Sequence, residues 1–184
     1  VALQLLRACT PLVVVATASR PESARCARLM GAHHVINHSM PMAPQIGALG
    51  IGPPGHVLCV AQTERHLPDI AELIAPQGRL ALIDDPRSLE VGLLKAKCCS
   101  IHWEAVFARS LFRTEDMVAQ HHILAHVARL VDEGRLRSTM TDHFGHISAA
   151  NLRRAHARVE AGGFAGKIVL SGWQSAGSAG DHPA

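Results

Sequence analysis

Short apolar runs alternate with amphipathic stretches through the first two thirds of the chain, and the alternation predicts strands and helices in turn. Residues 1–9 set Val1, Leu3, Leu5, Leu6 and Cys9 in an amphipathic helical stripe. The run 12–16, from Leu12 to Ala16, is apolar or small throughout and short, which fits a strand buried on both faces. A helix over 21–30 follows: Pro21 suits its first turn, Ser19 and Glu22 have capping-box spacing, and Gly31 suits a left-handed stop. Residues 34–37 read as a second strand, the rhythm of a parallel sheet with crossover helices.

Proline and glycine crowd 40–54, so a loop is expected there, with one helical turn near 45–49. A buried strand over 56–61, an amphipathic helix over 64–75 and a strand over 79–84 come next, then a short helix over 89–96 and a last strand over 97–104. Residues 106–113 read as a loop or turn. A long helix over 114–133 carries Met117, Ile123, Leu124, Val127, Ala128, Leu130 and Val131 on roughly one face, ended by Gly134. Ser148 caps a helix over 148–161 that Gly162 and Gly163 close, and 166–171 is a lone terminal strand. The Gly, Ser and Ala rich tail from Trp173 is expected to be disordered.

The fold class is therefore α/β, with a doubly wound parallel sheet up to Glu104. Residues 1–113 form a nucleotide-binding part, 114–172 leave it for a different sheet, and 173–184 are tail. The chain starts at Val1 inside a helical pattern without a cap, so something upstream is expected to be missing.

Composition narrows the partners. The 184 residues are 48% hydrophobic, enough for a real core, and the net charge of +3 lacks the basic stripe that nucleic acid requires. No apolar run nears the roughly 18 residues of a membrane span, and no signal-peptide order opens the chain, so a cytoplasmic setting is the default. Cys9, Cys26, Cys59, Cys98 and Cys99 read as reduced thiols; no CxxC pair occurs. His122 and His126 share i, i+4 spacing, but a polar helix face explains them better than a metal site.

Candidate chemistry centres on 17–22. In a nucleotide-binding half, an acid at the end of the second strand selects a bare ribose 2′-hydroxyl, whereas an Arg accommodates a 2′-phosphate. Here Ser19 and Arg20 come first and the first acid is Glu22, which points to NADP(H), with Arg20 on the phosphate, Ser19 bonded to it and the helix N-terminus adding donors. The alternative for the same residues is a helix cap beside a solvated cation.

Segments 17–23 (TASRPES), 31–38 (GAHHVINH), 70–86, 100–107 (SIHWEAVF) and 147–170, ending in GKIVL, resemble in order the C-terminal portion of medium-chain dehydrogenase/reductases, in the zinc-type alcohol dehydrogenase-like or quinone oxidoreductase-like branch. The likeness covers about residues 1–171. It implies an NADPH-dependent oxidoreductase that passes hydride between nicotinamide and a carbonyl, quinone or activated double bond. Carried over, Ser19 and Arg20 match the 2′-phosphate binders, and Cys59, Val60 and Ala61 a strand end beside the riboses. Ile83 and Asp84 match a strand end lining the cofactor cleft, and Ile101, His102, Trp103 and Glu104 a segment near the nicotinamide. Lys167 matches a recurrent lysine whose role lies between cofactor contact and fold. For all but the first pair, buried-strand packing explains the residues equally well. The implied homodimer pairs through the edge strand near 97–104.

Departures qualify the likeness. The family's first strand, glycine-rich turn and N-terminal domain have no counterpart here, so the Rossmann-type sheet is expected to be incomplete and the C-terminal strand to belong to an absent catalytic domain. In the order 3-2-1-4-5-6 the first strand is central. Each unpaired buried backbone group costs about 1–3 kcal/mol, so an empty position of four or five residues rivals a domain stability of roughly 5–15 kcal/mol. Zinc ligands of the family lie in the N-terminal domain, and no metal is expected. A non-catalytic pairing module is the alternative function; another Rossmann-like enzyme, such as a methyltransferase, fits the ordered matches poorly. The catalytic acid or base is unassigned, with Asp84, His102 and Glu104 candidates by location.

Overall fold

The computed structural model describes residues 1–163 and 165–173. Helix α1 (Ala2–Cys9) leads into strand β1 (Val15–Thr17), helix α2 (Pro21–Leu29) and strand β2 (His34–Ile36). The two strands pair in parallel, Val15 with His34 through Thr17 with Ile36. After helix α3 (Met42–Ala48) come β3 (His56–Cys59), α4 (Thr63–Leu73), β4 (Arg79–Leu82), a 3₁₀ segment (Val91–Lys97) and β5 (Ser100–Trp103). These three strands form a parallel sheet in the order β3-β4-β5. Helices cross between successive strands, as a doubly wound α/β sheet requires.

One core serves both sheets. Ile36 of β2 packs with Cys59, Leu80 and Leu82 of the second sheet and with Met42, Ile46, Leu67, Ile70 and Leu73 of α3 and α4, while Val15 of β1 lies against the same cluster. Leu80 and Leu82 are completely buried because β4 is flanked on both sides. Among the described residues, β1 pairs only with β2, and β3 only with β4. In the 3-2-1-4-5-6 order the two sheets are the 3-2 and 4-5-6 segments, and no described strand takes the position between them. Val13 and Leu58, beside those unladdered edges, are 56% and 47% exposed.

Several expectations need correction. The first strand is Val15–Thr17 rather than 12–16, and Leu12 and Val13 are exposed, because a strand with one neighbour is not covered on all sides. The helix near 45–49 spans Met42–Ala48: Pro44 is tolerated in its first turn, where an N–H has no acceptor to lose. Residues 108–112, expected as a loop, form helix α5 (Ala108–Phe112). Helix α6 (Ala119–Asp132) is shorter than 114–133, and of its apolar stripe Leu130 is buried while Ile123, Leu124 and Val131 are exposed. The terminal strand is not alone, since β7 (Lys167–Val169) pairs in parallel with β6 (Met140–His143) in a separate sheet. Helix α7 (Ala149–Glu160) lies between them and is capped as expected by Ser148, whose hydroxyl accepts from the Asn151 amide. The tail expected to be disordered lies, from residue 174 on, outside the described residues.

Helix α1 is tied to the stretch that follows α6. Gln4, buried, donates from its amide to the Arg137 carbonyl (3.1 Å) and accepts from the Arg137 N–H (2.9 Å). Arg135 donates to the Ala8 carbonyl at the C-terminal end of α1 (2.5 Å). Among the described residues no helix is long and apolar enough to cross a membrane.

Candidate functional site

Parallel strands deliver their carboxyl ends to one edge of a sheet, and that edge carries most of the singled-out residues. Cys59, Leu82 and Trp103 are in register across β3, β4 and β5. The Ile83 N–H donates to the Cys59 carbonyl (3.2 Å) and the Glu104 N–H to the Leu82 carbonyl (3.0 Å), so Val60, Ile83 and Glu104 leave the sheet side by side. Val60 and Ile83 are exposed, which suits a lining role and contradicts burial as the explanation for them. Cys59 is buried in the core, and its thiol donates to the Ala61 carbonyl (3.6 Å). Ile101 packs against the core.

Asp84 has a structural partner that the sequence pattern did not reveal. Its carboxylate accepts from the Thr63 amide (2.9 Å) and from the Thr63 hydroxyl, tying the end of β4 to the first residue of α4. The Thr63 hydroxyl first, and then its amide, hold Asp84 below its ordinary pKa, so it is a carboxylate near neutrality and a poor proton donor. Thr63 is completely buried, and its preceding residue Gln62 adopts φ 56 to turn the chain into the helix. Two positions separated by 21 residues carry no local signal of their pairing. His102 is exposed, 3.0 Å from the Ser100 hydroxyl, and does not face the sheet interior.

Arg20 stands at the carboxyl end of the other parallel pair. The Ala18 N–H still donates to the Ile36 carbonyl (2.9 Å), and two residues later Arg20 occupies the N-cap of α2, with Pro21 opening the helix. The capping box is absent: Ser19 lies one position too early to cap, and α2 has no side-chain cap hydrogen bond. Arg20 is exposed, and its Nη2 donates to the Ser23 hydroxyl (3.3 Å). A guanidinium, two serine hydroxyls and the first turn of a nine-residue helix form a donor set suited to a doubly charged phosphate, with Glu22 in the same turn opposing it. Among the described residues, Arg20 makes no hydrogen bond to the β3, β4 or β5 ends. Lys167 is exposed at the start of β7, its N–H donating to the Thr139 carbonyl (2.9 Å).

A shallow cavity of about 230 Å³ lies elsewhere, lined by His38, Arg65, His66 and Asp69 among others. Burial, then His38 and Arg65, lower the His66 pKa, against the opposing charge of Asp69. Among the described residues no group of three His, Cys, Asp or Glu side chains could hold a metal ion. On α6, His126 faces Arg129 (2.7 Å) and Cys9 (3.8 Å), whereas His122 stacks edge-on with His121, so the i, i+4 pair shares no ligand.

The sequence signature described as zinc-binding dehydrogenase covers residues 30–170. A zinc-type alcohol dehydrogenase-like protein of Staphylococcus aureus (strain MSSA476) is 30% identical over 161 residues, which are 87% of this chain and 48% of that protein. The chain thus spans about half the length of the curated relatives it matches. A Rhizobium etli CFN 42 protein, assigned as a zinc-dependent alcohol dehydrogenase, superposes with a TM-score of 0.89 at 50% identity over 94% of this chain and 51% of its own. A structure described as an NAD-dependent alcohol dehydrogenase shares the fold, with a TM-score of 0.71 at 21% identity over 92% of this chain and 46% of its own.

Proposed function

The chain belongs to the zinc-binding dehydrogenase family, and from that membership we propose that it is the NADP(H)-binding part of an oxidoreductase that transfers hydride to or from a carbonyl, quinone or activated alkene. Arg20 carries the phosphate preference: its exposed guanidinium stands at the end of β1 beside the start of α2, where the adenosine ribose of a doubly wound domain binds. Ser19 and Ser23 add hydroxyl donors, and the α2 N-terminus adds backbone N–H groups. Val60, Ala61, Ile83 and the 101–104 segment border the nicotinamide half, where the exposed apolar side chains of Val60, Ile83 and Trp103 suit flat rings. Lys167, exposed at the start of β7, is a further cation whose role lies between cofactor contact and fold. The bound nicotinamide would supply the hydride. This chain's residues orient it, and Thr63, by holding Asp84, keeps the β3 and β4 ends together beneath it.

The deciding measurement is calorimetric titration of the chain with NADPH and with NADH. Loss of a charge-assisted contact is worth about 1.5–3 kcal/mol, roughly a 10- to 150-fold change in affinity. Arg20→Asp should weaken NADPH by at least that range and leave NADH nearly unchanged; an equal loss for both cofactors overturns the assignment.

A second reading concerns association. The outer edge of β5 has no partner among the described residues, and beside it Trp103, Val106, Phe107, Leu111 and Phe112 are 61–75% exposed. An apolar patch next to an open strand edge favours pairing of two copies through β5. A pairing module without turnover is the alternative to the enzymatic reading.

A further inference from the structure

We infer that Gly163, in the turn between α7 and β7, is a specificity-determining position for the 2′-phosphate, because its lack of a side chain leaves the Arg20 guanidinium open on that side. The inference rests on the reading of Arg20 as the phosphate ligand. A Cβ built on Gly163 would lie 3.2 Å from Nη1 of Arg20, closer than ordinary van der Waals contact. The backbone there is left-handed twice in succession, with φ of 62 at Gly162 and 75 at Gly163. The turn is held from behind: the Gly162 N–H donates to the Val159 carbonyl (3.0 Å), and Arg158 donates to the Gly162 carbonyl (2.9 Å). These bonds fix the shape of the turn at the end of α7. A segment more than 140 positions along the chain from the β1 to α2 turn becomes the second wall of the same anion pocket.

Nη1 faces this wall while Nη2 is engaged by Ser23. A neutral side chain at 163 crowds one edge of the guanidinium. A carboxylate at 163 does more, since it becomes an intramolecular counter-ion competing with the phosphate for the same N–H groups. Position 163 thus sets how strongly Arg20 discriminates a phosphorylated from a bare ribose, without itself contacting the base or the nicotinamide.

Adenosine 2′,5′-bisphosphate and adenosine 5′-monophosphate, which differ by the 2′-phosphate, are the probes, and calorimetric affinity is the readout. Gly163→Asp should weaken the bisphosphate at least 10-fold and leave the monophosphate within about 2-fold, a loss of at least 1.4 kcal/mol confined to one ligand. Gly163→Asn, which adds the Cβ without the charge and tolerates a left-handed backbone, should weaken the bisphosphate about 3-fold and leave the monophosphate unchanged. A bisphosphate affinity that Asn leaves unchanged, or equal loss of both ligands, overturns the inference. Should Gly163→Asp fail to fold, the unaltered chain decides: its Gly163 amide resonance should shift with the bisphosphate and not with the monophosphate, and no such difference overturns the inference. Arg20→Gln separates this from the underlying reading. If Arg20→Gln leaves the ratio of the two affinities unchanged, the phosphate assignment of Arg20 fails. If it collapses the ratio while Gly163→Asp does not, only the role of Gly163 fails.

Discussion

Replacing Gln4 by Ala tests whether α1 and the stretch after α6 hold the C-terminal third against the sheet. Gln4 is 8% exposed, and its amide makes two reciprocal bonds with the Arg137 backbone, 3.1 and 2.9 Å long. A typical hydrogen bond contributes about 0.5–1.5 kcal/mol net, so losing both costs about 1–3 kcal/mol. Both bonds are only partly buried, so water can compensate part of the loss and keeps the cost from rising to the full penalty for buried, unsatisfied groups. For a domain of this size, each kcal/mol lowers Tm by about 2–4 °C. Urea unfolding gives the free energy, and amide exchange at Arg137 and Leu136 localises it: both should lose protection while Leu80 and Leu82 of the sheet keep theirs. Gln4→Glu sharpens the test. Its carboxylate can still accept from the Arg137 N–H but sets an oxygen against the Arg137 carbonyl, and protonation restores a donor, so its deficit relative to wild type should shrink as pH falls. A change below about 0.5 kcal/mol in Gln4→Ala, within the ordinary scatter of surface substitutions, together with unaltered exchange at Arg137, would refute the latch.

Two further outcomes follow from the site and its edge. Asp84 has a folded pKa lowered from 3.8 by Thr63, so it contributes stability that is present above that ordinary value and lost as pH falls through the depressed one. Thr63→Val, nearly isosteric, should move the Asp84 titration upward and bring acid unfolding to higher pH; an unchanged carboxyl titration followed by NMR would contradict the pairing. If two copies pair through β5, light scattering should give a dimer mass that Trp103→Lys with Phe112→Glu converts to monomer; a monomer at every concentration in the unaltered chain counts against the patch.

Local signals were legible wherever one stretch of chain satisfies itself. Pro21 before an amphipathic stretch, Gly31 at φ 105 and Ser148 at a helix start act within a single turn, so their types alone announce the boundaries. Strand and helix alternation from β1 to β5 was equally readable, because burial between two helical layers demands short apolar runs. The capping box at Ser19 fails because α2 begins at Pro21 with Arg20 at its N-cap, which leaves Ser19 one residue outside the position from which a side chain reaches the first amides.

Sequence by itself thus determined the α/β class, the order of elements from β1 to β5 and the cation that follows β1, since these depend on residue type and period along the chain. Tertiary structure alone decided the rest: that polar Met140–His143 is a strand, because β7 supplies its ladder; that Asp84 answers to Thr63; that Gln4 holds Arg137; and that Gly163 stands against Arg20. Each of those partners is distant in sequence, and a hydrogen bond or a close approach leaves no periodic trace in a chain until folding brings both sides together.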